Sequence, residues 1–176
     1  MIILDFETNS SNIHDVIEVA AFKVKKVGDR YEIVDRFHRY YHSQYEVNPH
    51  ALAVHQLSPE KIETLRDHAT YDAYFEDDLD FVDFCKGSQT LVAHNITFEL
   101  RHLGDLVTFS EHICTMKANK EIVNARNVKG KIKNPKLIET CHFYDIDFDE
   151  TFYHSAIYDV QKTLDILTVM QQKNRK

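Results

Sequence analysis

Three strand-like runs stand in a row at the start of the chain, so a sheet is committed before any helix appears. "MIILDFET" is apolar up to Leu4 and short, which suits a buried strand. "VIEVAAFKVKKV", residues 16–27, alternates well enough for a second. "YEIVDRFHRYY", residues 31–41, alternates through Tyr31 and Ile33, with Phe37 further on, and makes a third. Gly28–Asp29 suits a tight hairpin between the last two. An antiparallel meander is the expectation.

The pattern then switches to helix and strand in alternation. Ser58 before Pro59 reads as an N-cap with proline at the first helical position. Phe75, Leu79, Val82 and Cys85 fall at helical intervals and stop at Gly87. "TLVAH" reads as a short buried strand, "TFELRHLGDL" as a helix, and "HICTMK" as another short strand. "NARNVKGKIKNPK" reads as a loop or partly ordered segment. In the closing segment Ile157, Val160, Leu164 and Leu167 follow at steps of three, four and three, a helical stripe. No repeat, linker or composition break divides the 176 residues. One α/β domain, 1–176, is expected, with a disordered basic tail at 173–176.

No stretch approaches an apolar membrane span. The N-terminus has no basic region and reaches an acid at Asp5, unlike a signal peptide. Cys85, Cys114 and Cys141 are widely spaced and form no CxxC pair, which argues against a zinc site or disulfide frame. A reduced, cytoplasmic setting is the simplest reading. The net charge of −7 has the wrong sign, on average, for a nucleic-acid binder. Distribution matters more than the sum. From Lys117 to Lys136, seven Lys and Arg stand against a single acid, Glu121. A solvated face explains such a run as well as a binding face does.

Three separate elements carry acids in suggestive places. Asp5 and Glu7 are two apart on a strand, so both point to one face. Strand ends of open α/β sheets favour ligand sites, and a cation would relieve the repulsion between the two acids. Oxygen ligands suit hard cations such as Mg²⁺ or Mn²⁺. DxE alone also fits two solvated acids at an exposed strand end. His94 and Asn95 follow a buried strand; Asn95 is suited to N-cap a helix whose first turn holds Glu99. Phe98 needs a pocket or a stacking partner. His154 and Asp159 lie five apart, roughly 140° out of helical alignment, so His154 belongs in the loop or first turn before the helix and Asp159 within it. No G-x-S-x-G and no P-loop is present.

In combination, "LDFETN", "AHNITFE" and "HSAIYD" resemble the three motifs of the DEDDh 3′→5′ exonucleases, the DnaQ-like group. Weaker likenesses fill the gaps: "NPHALAVHQLSPEKI", with Gln56 where the family has glycine, "CTMK" and "NPKLIETCHFYDID". The resemblance spans nearly the whole chain. It implies a ribonuclease-H-like mixed sheet, three antiparallel strands and then parallel ones, flanked by helices. It also implies phosphodiester hydrolysis at the 3′ end of a single strand, DNA before RNA, with two divalent cations, Mg²⁺ or Mn²⁺. Asp5, Glu7 and Asp159 would hold the metal that activates water. Asp5 would also reach the second metal, near Glu99. His154 would be the general base. Phe6, Thr8, His94, Asn95 and Phe98 are the implied substrate contacts. A polymerase or other replication or repair protein is an implied partner, a membrane is not. One position departs: the family has aspartate where this chain has Glu99, one methylene longer by a bond of about 1.5 Å. An active enzyme is the first expectation, an exoribonuclease or a weakened nucleic-acid-binding module the alternatives.

Overall fold

The computed structural model describes residues 1–173. The three expected strands form: β1 (Ile2–Thr8), β2 (Val16–Val27) and β3 (Arg30–Tyr40). Gly28, at φ +61°, supplies the left-handed turn residue of the β2–β3 hairpin. The chain continues through α1 (Pro49–His55), α2 (Pro59–Leu65), α3 (Leu79–Cys85), β4 (Thr90–Ala93), α4 (Ile96–Leu103) and β5 (Glu111–Cys114). Then come the short α5 (Thr115–Ala118) and α6 (Lys120–Val123), α7 (Leu137–Phe143) and the long α8 (Ala156–Lys173). The sheet order is β3-β2-β1-β4-β5, antiparallel up to β1 and parallel from β1 through β5. This is the mixed α/β sheet expected.

Alternation along β1 sends its side chains to two cores. Leu4 and Phe6 join Val19, Phe37, Phe75, Phe81 and Leu103 on one face. Rings meet edge-on there, with Phe6–Phe75 at 5.2 Å and Phe75–Phe81 at 5.1 Å between centroids, worth about 0.5–1.5 kcal/mol per pair beyond area burial. Ile3, with Ala20, Phe22 and Val92, meets Ala156, Val160, Leu164 and Leu167 of α8 on the other. The helical stripe read from the sequence is therefore real. Ile166 uses a second face of α8 to pack against Leu137 and Cys141 of α7.

Several local expectations change. The spacing of Phe75 to Cys85 does not make one helix: a 3-10 turn covers Phe75–Asp77, and α3 starts after Asp78. Buried Asp78 caps Asp80 N–H and accepts from Arg39 at 2.6 Å and Tyr41 Oη at 2.7 Å. This leaves Leu79 70% exposed. In β3, Tyr31 and Ile33 face the α8 side but Phe37 the opposite one. A bulge between Lys23 and Val24 in the β2–β3 register shifts the alternation there. The strand read as "HICTMK" ends at Cys114, whose Sγ accepts from Lys117 N–H as α5 begins. Ser58 caps α2 as expected, accepting from Lys61 N–H at 3.2 Å. Helix α1, capped by Asn48, was not anticipated. Lys173 closes α8, and the rest of the basic tail lies outside the described residues. Among the described residues no helix is long and apolar enough to cross a membrane.

Candidate active site

The site follows from unequal strand lengths. Strand β4 pairs with β1 only at Ile2 and Ile3. Beyond that the outer half of β1 has no partner on its β4 side, and a cleft opens at the carboxyl ends of the two parallel strands, where ligand sites of such sheets lie. The cleft has a volume of about 340 Å³. Asp5 and Glu7 come from β1, Glu99 from α4, Asp159 from α8 and His154 from the loop before α8, and all line it. Phe6, His94, Asn95 and Phe98 do too. Thr8 sits half-buried at the end of β1 and is not among the lining residues.

Glu99 is no solvent-facing helix residue; it is 2% exposed. The Phe6 N–H faces its carboxylate and favours the charged form. Its Oε2 is buried and has no partner. Asp159 is arranged alike: its carboxylate reaches back to the His154 N–H, and Oδ1 is buried without a partner. Buried carboxylate oxygens with no donor are costly, and two of them face one acid cluster. Glu7, His154 and Asp159 each bring a ligand atom within 4.8 Å of the others. This donor set fits a hard divalent cation.

Electrostatics agree. Burial, then Glu99 and Asp159, push the Asp5 carboxyl well above its usual range. Burial, then Glu18 and Asp159, do the same to Glu7. Asp159 rises to about 7, chiefly from burial. Burial also raises Glu99, against the Phe6 N–H. Among the described residues no lysine or arginine forms an ion pair with these acids; cations of another kind would balance them.

The histidines divide into two kinds. His94 Nε2–H donates to Pro135 O at 3.1 Å, and Nδ1 accepts from Thr115 Oγ1 at 2.9 Å. Both ring nitrogens are committed, burial lowers its pKa to about 4, and it ties the 134–137 wall of the cleft to the end of β4. His154 sits at φ +65°, a left-handed conformation that Asn, Asp and His adopt more readily than most residues, and its ring stacks on Tyr153 at 3.8 Å. Burial, then Lys136, lower its pKa. Asn95 does not cap α4: its side chain makes no cap bond, and its backbone at φ −119°, ψ 70° turns it outward to the cleft, exposed. Phe98 finds its partner in His102, at 4.7 Å between centroids.

Sequence reasoning missed Glu18. Register places it directly opposite Glu7 across β1–β2, 1% exposed and accepting from His38 Nε2 at 2.8 Å. The signal was one acid inside the apolar run "VIEVAAF". Lys136, read from the sequence only as the end of the basic run, and Pro135 line the cleft as well.

Sheet order and the converging acids define a ribonuclease-H-like enzyme fold. Residues 2–167 match the RNase T-type exonuclease family model. The chain belongs to that exonuclease family. Exonuclease X in complex with 5′-overhanging duplex DNA is 19% identical at a TM-score of 0.69, over 99% of this chain and 93% of that one. The nuclease domain of 3′hExo, a DEDDh family member bound to rAMP, is 15% identical at 0.64, over 98% and 91%. Escherichia coli Exonuclease I with a dT13 oligonucleotide is 12% identical at 0.76, over 99% of this chain but only 41% of that one. Exonuclease I has also been seen in a zinc-ion-bound form with single-stranded DNA. No curated protein matches the sequence significantly.

Proposed function

We propose that the protein removes nucleoside 5′-monophosphates from the 3′ end of single-stranded nucleic acid, DNA before RNA. The observation that carries this is the pair of orphaned buried oxygens, Glu99 Oε2 and Asp159 Oδ1, beside His154. In this reading Asp5, Glu7 and Asp159 hold one divalent cation, and Asp5 with Glu99 a second. Bound Mg²⁺ or Mn²⁺ supplies charge stabilisation for the attacking and leaving oxygens.

The chain's own groups do the rest. His154 accepts the proton of the attacking water. A pKa held below the ordinary histidine value keeps its ring neutral and receptive at pH 7. Lys136, across the cleft, faces the incoming phosphate as a charge. Phe98 offers a ring edge or face to the terminal base. Asn95, freed from capping, offers an amide to the sugar or base. His94 acts only through the wall it holds.

Glu99 supports a working site over a weakened binding module, because its longer arm reaches the Phe6 N–H and still leaves an oxygen free. RNA is the second reading, favoured by the likeness to a nuclease domain bound to rAMP. A replication or repair protein as partner rests on the family resemblance, and a reducing, cytoplasmic location on three free thiols. The test is digestion of matched 3′-labelled DNA and RNA strands with Mg²⁺ or Mn²⁺. Shortening of the DNA by wild type and none by Asp5→Ala is expected. Folded wild-type protein that shortens neither strand under either ion overturns the proposal.

A further inference from the structure

The basic stretch read as a loop or partly ordered segment is ordered over part of its length. Arg126 pairs antiparallel with Ile132. Lys133 N–H donates to Ala125 O at 2.8 Å, and Asn127 N–H to Lys131 O at 2.9 Å. The Asn127 side chain accepts from the Lys129 and Lys131 amides at 2.9 and 3.1 Å. Gly130, at φ +74°, turns the chain, and Arg126 Nη1 donates to its carbonyl at 2.7 Å. The result is an ordered hairpin over residues 125–133.

Packing does not explain it. Val128 at its tip is fully exposed, and Ile132 is also exposed. None of its residues belongs to a described core cluster. The hydrogen bonds just described hold it, and its charge sets it apart. Lys133, at the base, is neutralised by Glu139 at 2.6 Å. Arg126, Lys129 and Lys131 are exposed, and among the described residues none has an acid within ion-pair distance. The net charge of the whole chain is −7, so this cationic arm stands out from its surroundings.

Position supplies the occupant. The hairpin rises from the lip of the cleft: the returning strand runs directly into Asn134–Leu137, which line it, and the incoming strand is held there by the Lys133 N–H to Ala125 O bond. A strand whose end enters an acidic cleft has to leave along some edge, and this edge is the cationic one. We propose that the 125–133 hairpin is an arm that grips the phosphate backbone of the nucleic acid beyond its terminal nucleotides. The proposal rests on the nuclease reading of the cleft. Two residues of extended chain carry the returning strand from Lys133 to Lys131, about 7 Å, and the turn at 128–130 lies beyond. A trinucleotide with its 3′ end in the cleft has only two internal phosphates and meets less of the arm than a strand of a dozen nucleotides does.

The test compares wild type with the triple variant Arg126→Gln, Lys129→Gln, Lys131→Gln. Binding of a labelled twelve-nucleotide strand is followed by anisotropy in EDTA across a salt series. Cleavage of a trinucleotide is followed with Mn²⁺. Each single-strand phosphate contact contributes about 0.7 to the salt slope, so the slope should fall by about 2. Between about 50 and 200 mM salt, wild type should then lose about 20-fold more affinity than the variant. Trinucleotide cleavage should stay within about twofold. Lys129 and Lys131 side chains make no hydrogen bond in the structure, so the double variant keeps the fold, and its slope should fall by about 1.4. Equal slopes in variant and wild type, or a wild type that does not bind the longer strand, overturn the arm. A wild type that binds it with the expected salt dependence yet cuts neither oligomer overturns the nuclease reading and leaves the arm standing.

Discussion

Replacing Asp159 with asparagine should stabilise the metal-free protein while abolishing its activity. Well below pH 4 Asp159 is protonated in both folded and unfolded chains, and its burial carries no charge penalty. As pH rises the unfolded chain ionises first, and the folded one follows only near pH 7, because burial raises the carboxyl from 3.8 to about 7. Over that window the folded state binds the extra proton, so wild-type stability falls with rising pH. About three units at ~1.4 kcal/mol each give roughly 4 kcal/mol above pH 7. A typical fold has about 5–15 kcal/mol to lose. An asparagine oxygen still accepts the His154 N–H, so the substitution removes the charge and keeps the shape. At about 2–4 °C per kcal/mol for a chain of this size, Asp159→Asn should melt about 10 °C higher than wild type at pH 8 in EDTA. At pH 4 the two should melt nearly together. The assay is thermal unfolding of both proteins across that range, with and without Mg²⁺ or Mn²⁺. Added metal should narrow the gap by stabilising wild type alone, by about 2.7 kcal/mol at a hundredfold excess over Kd. A gap that is the same at pH 4 and pH 8 would refute the reasoning, since it could not come from Asp159 ionisation.

Three further outcomes follow from the same cleft. Glu99→Asp should lower kcat by about 10²-fold rather than restore a family optimum, because α4 stands where the longer arm meets the Phe6 N–H and a carboxylate withdrawn by about 1.5 Å misses it; a faster Glu99→Asp enzyme in the oligonucleotide assay would show that α4 adjusts. His154→Ala should cost about 10²–10⁴-fold in kcat and remove the acid limb of the pH–rate profile. Lys136→Met should move that limb to higher pH, because a positive neighbour that lowers the His154 pKa has been removed; a limb that stays in place would place Lys136 too far away to matter.

Much of the site was legible because its clues are local. Parity along β1 puts Asp5 and Glu7 on one face wherever the strand sits. A spacing of five from His154 to Asp159 excludes a shared helical face, and the structure does leave His154 in a left-handed loop position with Asp159 in the first turn of α8. Glu99 was legible only through its motif. A first-turn acid looks the same on paper whether it meets water or a buried N–H.

Other features depend on which strand lies against which, and no local pattern carries that. Glu18 becomes a neighbour of Glu7 only through the β1–β2 register. Phe37 changes faces because one bulge shifts the alternation. Asn95 looked like a cap, but its backbone at the end of β4 gives its side chain to the cleft. The basic run could have been any solvated surface until the fold set it on the lip of the cleft.

Sequence alone determined the strand and helix periods, the acid spacing and the family, since these depend on geometry within a few residues. Tertiary structure alone decided that β4 stops short against β1, which opens the cleft where the Phe6 N–H faces Glu99. Pairing between distant strands is a competition among whole registers, and only the packed sheet settles it.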